Sequence, residues 1–181
     1  MLMASQTAPW TIEQRDRLPD DGNRYEVVYG ELFLTPAPSV RHELVVRRLI
    51  EFVNVFASRH GLGTAFGSST EVYLETQNVV MPDLVVFPLA EALLPARWRD
   101  MPTPILVAEV SSPETWRRDA AAKRSAYLAG NIADYWIVDH EECTVTVVRP
   151  GREDEQVTET LRWSPRATDA VLEIPLAEVF R

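Results

Sequence analysis

Asp83 and Glu109 each interrupt a run that is otherwise apolar, Asp83 directly after Met81-Pro82 in residues 79–87 and Glu109 in residues 105–110. A carboxylate in such a setting is costly unless it is paired, hydrogen-bonded or bound to a cation. Two of them on neighbouring strands would form a hard, oxygen-rich site suited to Mg2+ or Mn2+. The chain's one lysine, Lys123, stands against seventeen arginines. Arginine stays protonated at ordinary pH, whereas a partly buried lysine can have its pKa shifted and can hand over a proton. On a helical wheel centred on Trp116, the residues Ala120, Lys123 and Tyr127 fall within about 40° of one another's stripe, while Arg117, Arg118 and Ser125 point away and Leu128 lies off it. Two further candidates are His42, in the middle of an apolar helix face, and Glu26, beside Tyr25 in a strand-like run. Each has a plain structural alternative: an ion pair with arginine for Asp83 and Glu109, a satisfied core histidine for His42, and a surface or ion-paired position for Glu26.

These residues need elements to hold them. Thr11-Ile12-Glu13-Gln14 has the form of a capping box and predicts a short helix ending before Pro19. Residues 24–29 and 31–34 read as a hairpin turning near Gly30, with Pro36 and Pro38 preventing continuation. Over 41–59, Val45, Val46, Leu49, Phe52, Val53 and Phe56 fall on one helical face. Three strands are expected at 70–75, 79–87 and 105–110, the last two buried on both sides. Residues 88–104 read as an irregular, partly helical excursion. A helix is expected over 114–129, introduced by Ser111-Ser112-Pro113 or capped by Thr115 and stopped by Gly130 and Asn131. Strands at 134–138 and 144–148 follow, then a polar, turn-rich stretch over 152–169 and a final apolar helix or strand over 171–180. The alternation argues for an α/β (α+β) fold with one mixed sheet flanked by helices.

At 181 residues and 46% hydrophobic, the sequence predicts one domain over 1–181, with a core at about 22–150 and a C-terminal extension at 151–181. The single cysteine, Cys143, is expected to be a packed residue of a strand, which fits a reducing, cytoplasmic setting. The N-terminal residues Met1–Thr7 lack a basic segment followed by an apolar stretch, and no window approaches the roughly 18 to 20 apolar residues of a membrane span, which argues against secretion and membrane insertion. A net charge of −9 sits awkwardly with nucleic-acid binding, which needs local basic surface. The charge is unevenly placed, with Arg41, Arg47 and Arg48 on one expected helix, Arg117, Arg118, Lys123 and Arg124 on another, and Glu153, Asp154, Glu155 and Glu159 crowding the tail.

The ordered series Val80-Met81-Pro82-Asp83, Ala108-Glu109-Val110 and a lysine on the next helix resembles the PD-(D/E)XK nuclease superfamily, in the restriction-endonuclease-like branch called the Uma-two family. Arg24-Tyr25-Glu26-Val27 with Gly30-Glu31-Leu32, Pro38-Ser39-Val40-Arg41-His42, Glu109-Val110-Ser111-Ser112-Pro113-Glu114-Thr115, Asp119 with Lys123 and Tyr127, and Asp134-Tyr135-Trp136-Ile137-Val138-Asp139 extend the likeness over about residues 11–150. The superfamily usually carries its lysine two residues after the glutamate, where this chain has Ser111; the resemblance implies that Lys123 supplies it from the helix. It further implies a restriction-endonuclease-like core and metal-dependent hydrolysis of DNA. Asp83, Glu109 and the Val110 carbonyl would hold Mg2+ or Mn2+, Lys123 would orient or help deprotonate a water, and His42 and Glu26 would line the pocket. A homodimer is expected because two copies of one site suit the two strands of a duplex. A catalytically silent binding module and a hydrolase of a small phosphorylated substrate are the alternatives.

Overall fold

The computed structural model describes residues 8–35, 38–74, 77–111 and 113–181, with 113–120 as backbone only. Helix α1 (Ile12–Arg15) opens with the expected capping box, the Thr11 hydroxyl accepting from the Gln14 amide and the Gln14 side chain accepting from the Thr11 amide. Strands β1 (Arg24–Val28) and β2 (Glu31–Thr35) form the expected hairpin, with Tyr29 and Gly30 both at positive φ, as a tight two-residue turn requires. Pro36 lies outside the described residues. Helix α2 (Val40–Arg59) is capped by the Ser39 side chain, which accepts from the His42 amide, and buries Val45, Val46, Leu49, Val53 and Phe56.

Strands β3 (Thr64–Gly67), β4 (Val72–Leu74), β5 (Asn78–Val80) and β6 (Leu84–Phe87) follow, then two 3-10 turns at Glu91–Leu93 and Trp98–Asp100, β7 (Leu106–Ser111), α3 (Pro113–Ala129), β8 (Asp134–Asp139), β9 (Thr144–Val148), β10 (Glu155–Val157), β11 (Thr160–Trp163), β12 (Leu172–Pro175) and α4 (Leu176–Phe180). They build a six-stranded sheet in the order β10-β9-β8-β7-β6-β3, a four-stranded sheet in the order β2-β1-β5-β4, and the pair β11-β12. Among the described residues β7 and β8 are the parallel neighbours, joined by the α3 crossover, and every other pairing is antiparallel.

The six-stranded sheet is covered on both faces, which is why its central strands read as unbroken apolar runs. Leu84, Val86, Leu106, Ala108, Trp136 and Val138 pack against α2 and against Leu161, Trp163, Ile174, Leu176 and Val179 of the C-terminal segment. Their alternates Val85, Phe87, Val107, Tyr135 and Ile137 pack against Ala126 and Tyr127 of α3 and against Val28, Val72, Leu74 and Val80 of the smaller sheet. Glu109 alternates with Ala108 and Val110 and therefore belongs to this second face, under α3.

Four expectations need correction. Residues 79–87 are not one strand: β5 and β6 belong to different sheets, and the chain crosses between them at Met81-Pro82-Asp83, where Pro82 has no amide to give to a ladder. The polar stretch 152–169 contains β10 and β11, whose inward residues Leu161 and Trp163 are fully buried while Arg162 is exposed. Strand β3, unforeseen, pairs with β6 along its length and starts beside Gly63, where a side chain would run into the Phe87 backbone. Cys143 lies in the turn before β9 at φ 56°, half-buried, with Sγ 3.9 Å from the Glu141 carbonyl.

Candidate functional site

Asp83 sits at the crossing between the two sheets because Pro82 ends one ladder and Leu84 begins the next. It is 2% exposed, and both of its oxygens are engaged. Oδ1 accepts from Arg24 Nη1 at 2.8 Å and Ser68 Oγ at 3.4 Å. Oδ2 accepts from the Val110 amide at 2.9 Å and lies 3.1 Å from His42 Nε2. Burial works against the ionised form, but the hydrogen bond and charge of His42 together with Arg24 outweigh it and hold the carboxyl at about 2. An ionised carboxylate only accepts, so this contact places a proton on His42 Nε2. His42 Nδ1 then has no hydrogen-bond partner; Glu43 Oε1 is 3.6 Å away, and the His140 ring stands edge-on at 6.4 Å.

The second half of the cluster is centred on Lys123, 9% exposed on the inward side of α3 with Ala126 and Tyr127. Its Nζ donates to Glu26 Oε2 at 2.8 Å and to Glu109 Oε1 at 3.0 Å. Tyr127, one turn further along, donates its hydroxyl to the same Glu109 oxygen at 2.6 Å. Glu26 comes from β1 of the smaller sheet, and its Oε1 accepts the Met81 amide at 2.7 Å, at the start of the crossing that carries Asp83. Burial raises the Glu109 carboxyl, the neighbouring charges of Glu26 and Asp83 raise it further, and Lys123 lowers it; the outcome is a value pushed up to about 7. Burial disfavours the Lys123 ammonium, but Glu109 and Glu26 overcome it and raise its pKa above the ordinary lysine value. The two carboxylates thus favour the protonated form of Lys123, a positive charge and hydrogen-bond donor placed between them.

The structure thus brings Glu26, His42, Asp83, Glu109, Val110 and Lys123 into one cluster, with Lys123 reaching Glu109 from the helix. Trp116 and Ala120, which defined the expected stripe, and Arg117 and Arg118 have side chains outside the described residues. Four participants were not anticipated. Arg24 had a readable signal, since it stands two residues before Glu26 and so projects from the same side of β1. Tyr127 follows Lys123 by one helical turn, the spacing that makes neighbours on a helix surface. Ser68 and His140 follow from the loop paths alone.

The donors fit a hard divalent cation in kind, being carboxylate oxygens joined by a strand carbonyl. Three carboxylates, Glu26, Asp83 and Glu109, share this space; burial is the main cause of the raised value of Glu109, and the charges of Glu26 and Asp83 add to it. Among the described residues no three His, Cys, Asp or Glu side chains converge at metal-ligand spacing. Arg24 and Lys123 instead take the oxygens that would face a cation.

Acids thus meet at the junction of two sheets under a lysine-bearing helix, in a chain with recognisable relatives. The chain matches the Uma2 family, described as "Putative restriction endonuclease", over residues 12–177, and it belongs to that family. Its fold is similar to a crystal structure described as "a putative nuclease belonging to DUF820" from Anabaena variabilis ATCC 29413, with a TM-score of 0.78 and 20% identity over 95% of this chain and 98% of that one. No curated protein matches the chain. No helix among the described residues is long and apolar enough to cross a membrane.

Proposed function

We propose that this chain is a divalent-metal-dependent endodeoxyribonuclease of the PD-(D/E)XK type that hydrolyses phosphodiester bonds of DNA in the cytoplasm, acting as a homodimer. The observation that carries the reading is the 3.0 Å contact from Lys123 Nζ to Glu109, which returns to the site the lysine that Ser111 does not provide. Asp83, Glu109 and the Val110 carbonyl are the residues to hold Mg2+, or Mn2+ in its place. Such a cation, when bound, polarises the scissile phosphate and lowers the pKa of a water.

The chain's own groups do the positioning. Lys123, protonated and tied to Glu26, directs its ammonium at Glu109 and stabilises negative charge that grows on the phosphate oxygens. Glu26 fixes Lys123 and, through the Met81 amide, ties it to the backbone that carries Asp83. His42 fixes the orientation of Asp83 from α2. The net charge of −9 favours one second reading, hydrolysis of a small phosphorylated substrate, which an acidic surface repels less than a duplex.

The deciding experiment is cleavage of supercoiled and single-stranded DNA by the purified protein with Mg2+, Mn2+ or EDTA, beside Asp83→Ala and Lys123→Ala. Metal-dependent nicking lost in both variants is the expected result. Cleavage by Asp83→Ala at the wild-type rate overturns the proposal, and turnover of a small phosphodiester without DNA cleavage selects the second reading.

A further inference from the structure

Asp83 has no acceptor position to spare. An ionised carboxylate offers about four lone-pair sites, and here Arg24, Ser68, His42 and the Val110 amide take them. A cation can reach Asp83 only by displacing one of these groups. The Val110 amide is fixed in β7, and the His42 ring is buried within the packing of α2. The Ser68 contact, at 3.4 Å, is long and carries no charge. Arg24 is the group best placed to leave: it reaches Asp83 through a single nitrogen at 2.8 Å at the end of a long, flexible stem, and it stands on the first residue of β1. A guanidinium has five N–H donors in a fork that suits the oxygens of a phosphate, and it stays charged wherever it goes.

We infer that Arg24 is an exchangeable cation of this site: it occupies Asp83 Oδ1 in the resting protein, yields that oxygen to a divalent metal ion, and turns its guanidinium onto the non-bridging oxygens of the substrate phosphate. The inference rests on the metal-dependent reading above and adds an order of events to it. Metal binding and phosphate binding become coupled, because the ion that enters releases the donor that grips the phosphate. Arg24 is a positioning residue at rest and a substrate ligand afterwards.

The test measures binding, with no turnover needed. Mn2+ affinity is read from the free-ion EPR signal, and affinity for a short DNA duplex from fluorescence anisotropy in Ca2+ and in EDTA. A charge-assisted hydrogen bond contributes about 1.5–3 kcal/mol, so Arg24→Gln, which removes the competitor, is expected to bind Mn2+ about tenfold to a hundredfold more tightly. The same variant is expected to bind duplex about tenfold more weakly in Ca2+ and equally well in EDTA. In the wild-type protein, addition of Mg2+ is expected to shift the guanidinium 15N resonance of Arg24, assigned by its absence from Arg24→Lys. Equal Mn2+ affinity in wild type and Arg24→Gln, or an Arg24 resonance unmoved at saturating Mg2+, overturns the inference and leaves the metal site standing. Absence of Mn2+ binding in both proteins overturns the inference together with the reading beneath it.

Discussion

Replacing Lys123 by methionine removes one charge while keeping the length and bulk of the side chain. In the intact protein Nζ lies 2.8 Å from Glu26 Oε2 and 3.0 Å from Glu109 Oε1, so the two carboxylate oxygens stand at most about 6 Å apart and face each other once the ammonium is gone. Two unit charges at that distance repel by about 3 kcal/mol at an effective dielectric near 20, and removing one partner of a buried ion pair costs about 3–5 kcal/mol. Lys123→Met is therefore expected to lose about 3–5 kcal/mol of unfolding free energy above neutral pH in EDTA. The loss must depend on pH, because the protein can relieve the repulsion by taking up a proton. Glu109 already sits at about 7, raised from 4.5 by burial and by Glu26 and Asp83 against the opposing Lys123, and removing the lysine raises it further. A group whose folded pKa exceeds its unfolded value contributes stability that is present below the unfolded value and lost as pH rises through the folded one. The deficit of the variant should thus be small at about pH 5 and grow through about pH 8, and adding Glu109→Gln should remove most of its pH dependence. Urea unfolding followed by tryptophan fluorescence measures each point. A deficit of equal size across that range would show that the two carboxylates do not confront each other and would refute the electrostatic account of the cluster.

Asp83 should govern behaviour in acid. Its carboxyl is held at about 2 against an ordinary 3.8, so its contribution is present above the ordinary value and is lost as pH falls towards 2, amounting to about 2 kcal/mol; acid titration of stability should show this loss in the wild type and lack it in Asp83→Asn. Tyr127→Phe deletes the 2.6 Å hydrogen bond to Glu109 and should cost about 1–3 kcal/mol in urea unfolding. Arg149→Ala, away from the cluster, leaves the buried Asp134 with Trp163 Nε1 as its remaining partner at 3.2 Å; it should cost about 3–5 kcal/mol while leaving Mn2+ affinity at the wild-type value.

Much of this arrangement was legible because apolar runs expose their exceptions. Asp83 and Glu109 stand out as charges inside apolar runs, and the helical wheel puts Lys123 on the inward side of α3, where the structure places it. Tail strand β11 was hidden because alternation in a two-stranded ribbon puts Arg162 outward between Leu161 and Trp163, and four residues are too short a window to separate that pattern from a polar turn. The break at Pro82 was hidden differently: both sides of it are apolar, so hydropathy joined two strands that pair in separate sheets. Arg24 is readable only as a same-side neighbour of Glu26, and its importance comes from a partner 59 positions away.

The seam at Met81-Pro82-Asp83 also has a consequence for the life of the chain during synthesis. Glu26 waits on β1, Asp83 on the link between sheets, Glu109 on β7 and Lys123 on α3, so the cluster closes only through contacts between distant parts of the sequence. Such contacts form late, after the entropy of closing long loops has been met. A nascent chain that has not yet produced α3 holds three acids without the ammonium that joins two of them. Assembly of the cluster is thereby tied to completion of the fold, since its charges balance only once α3 has been made.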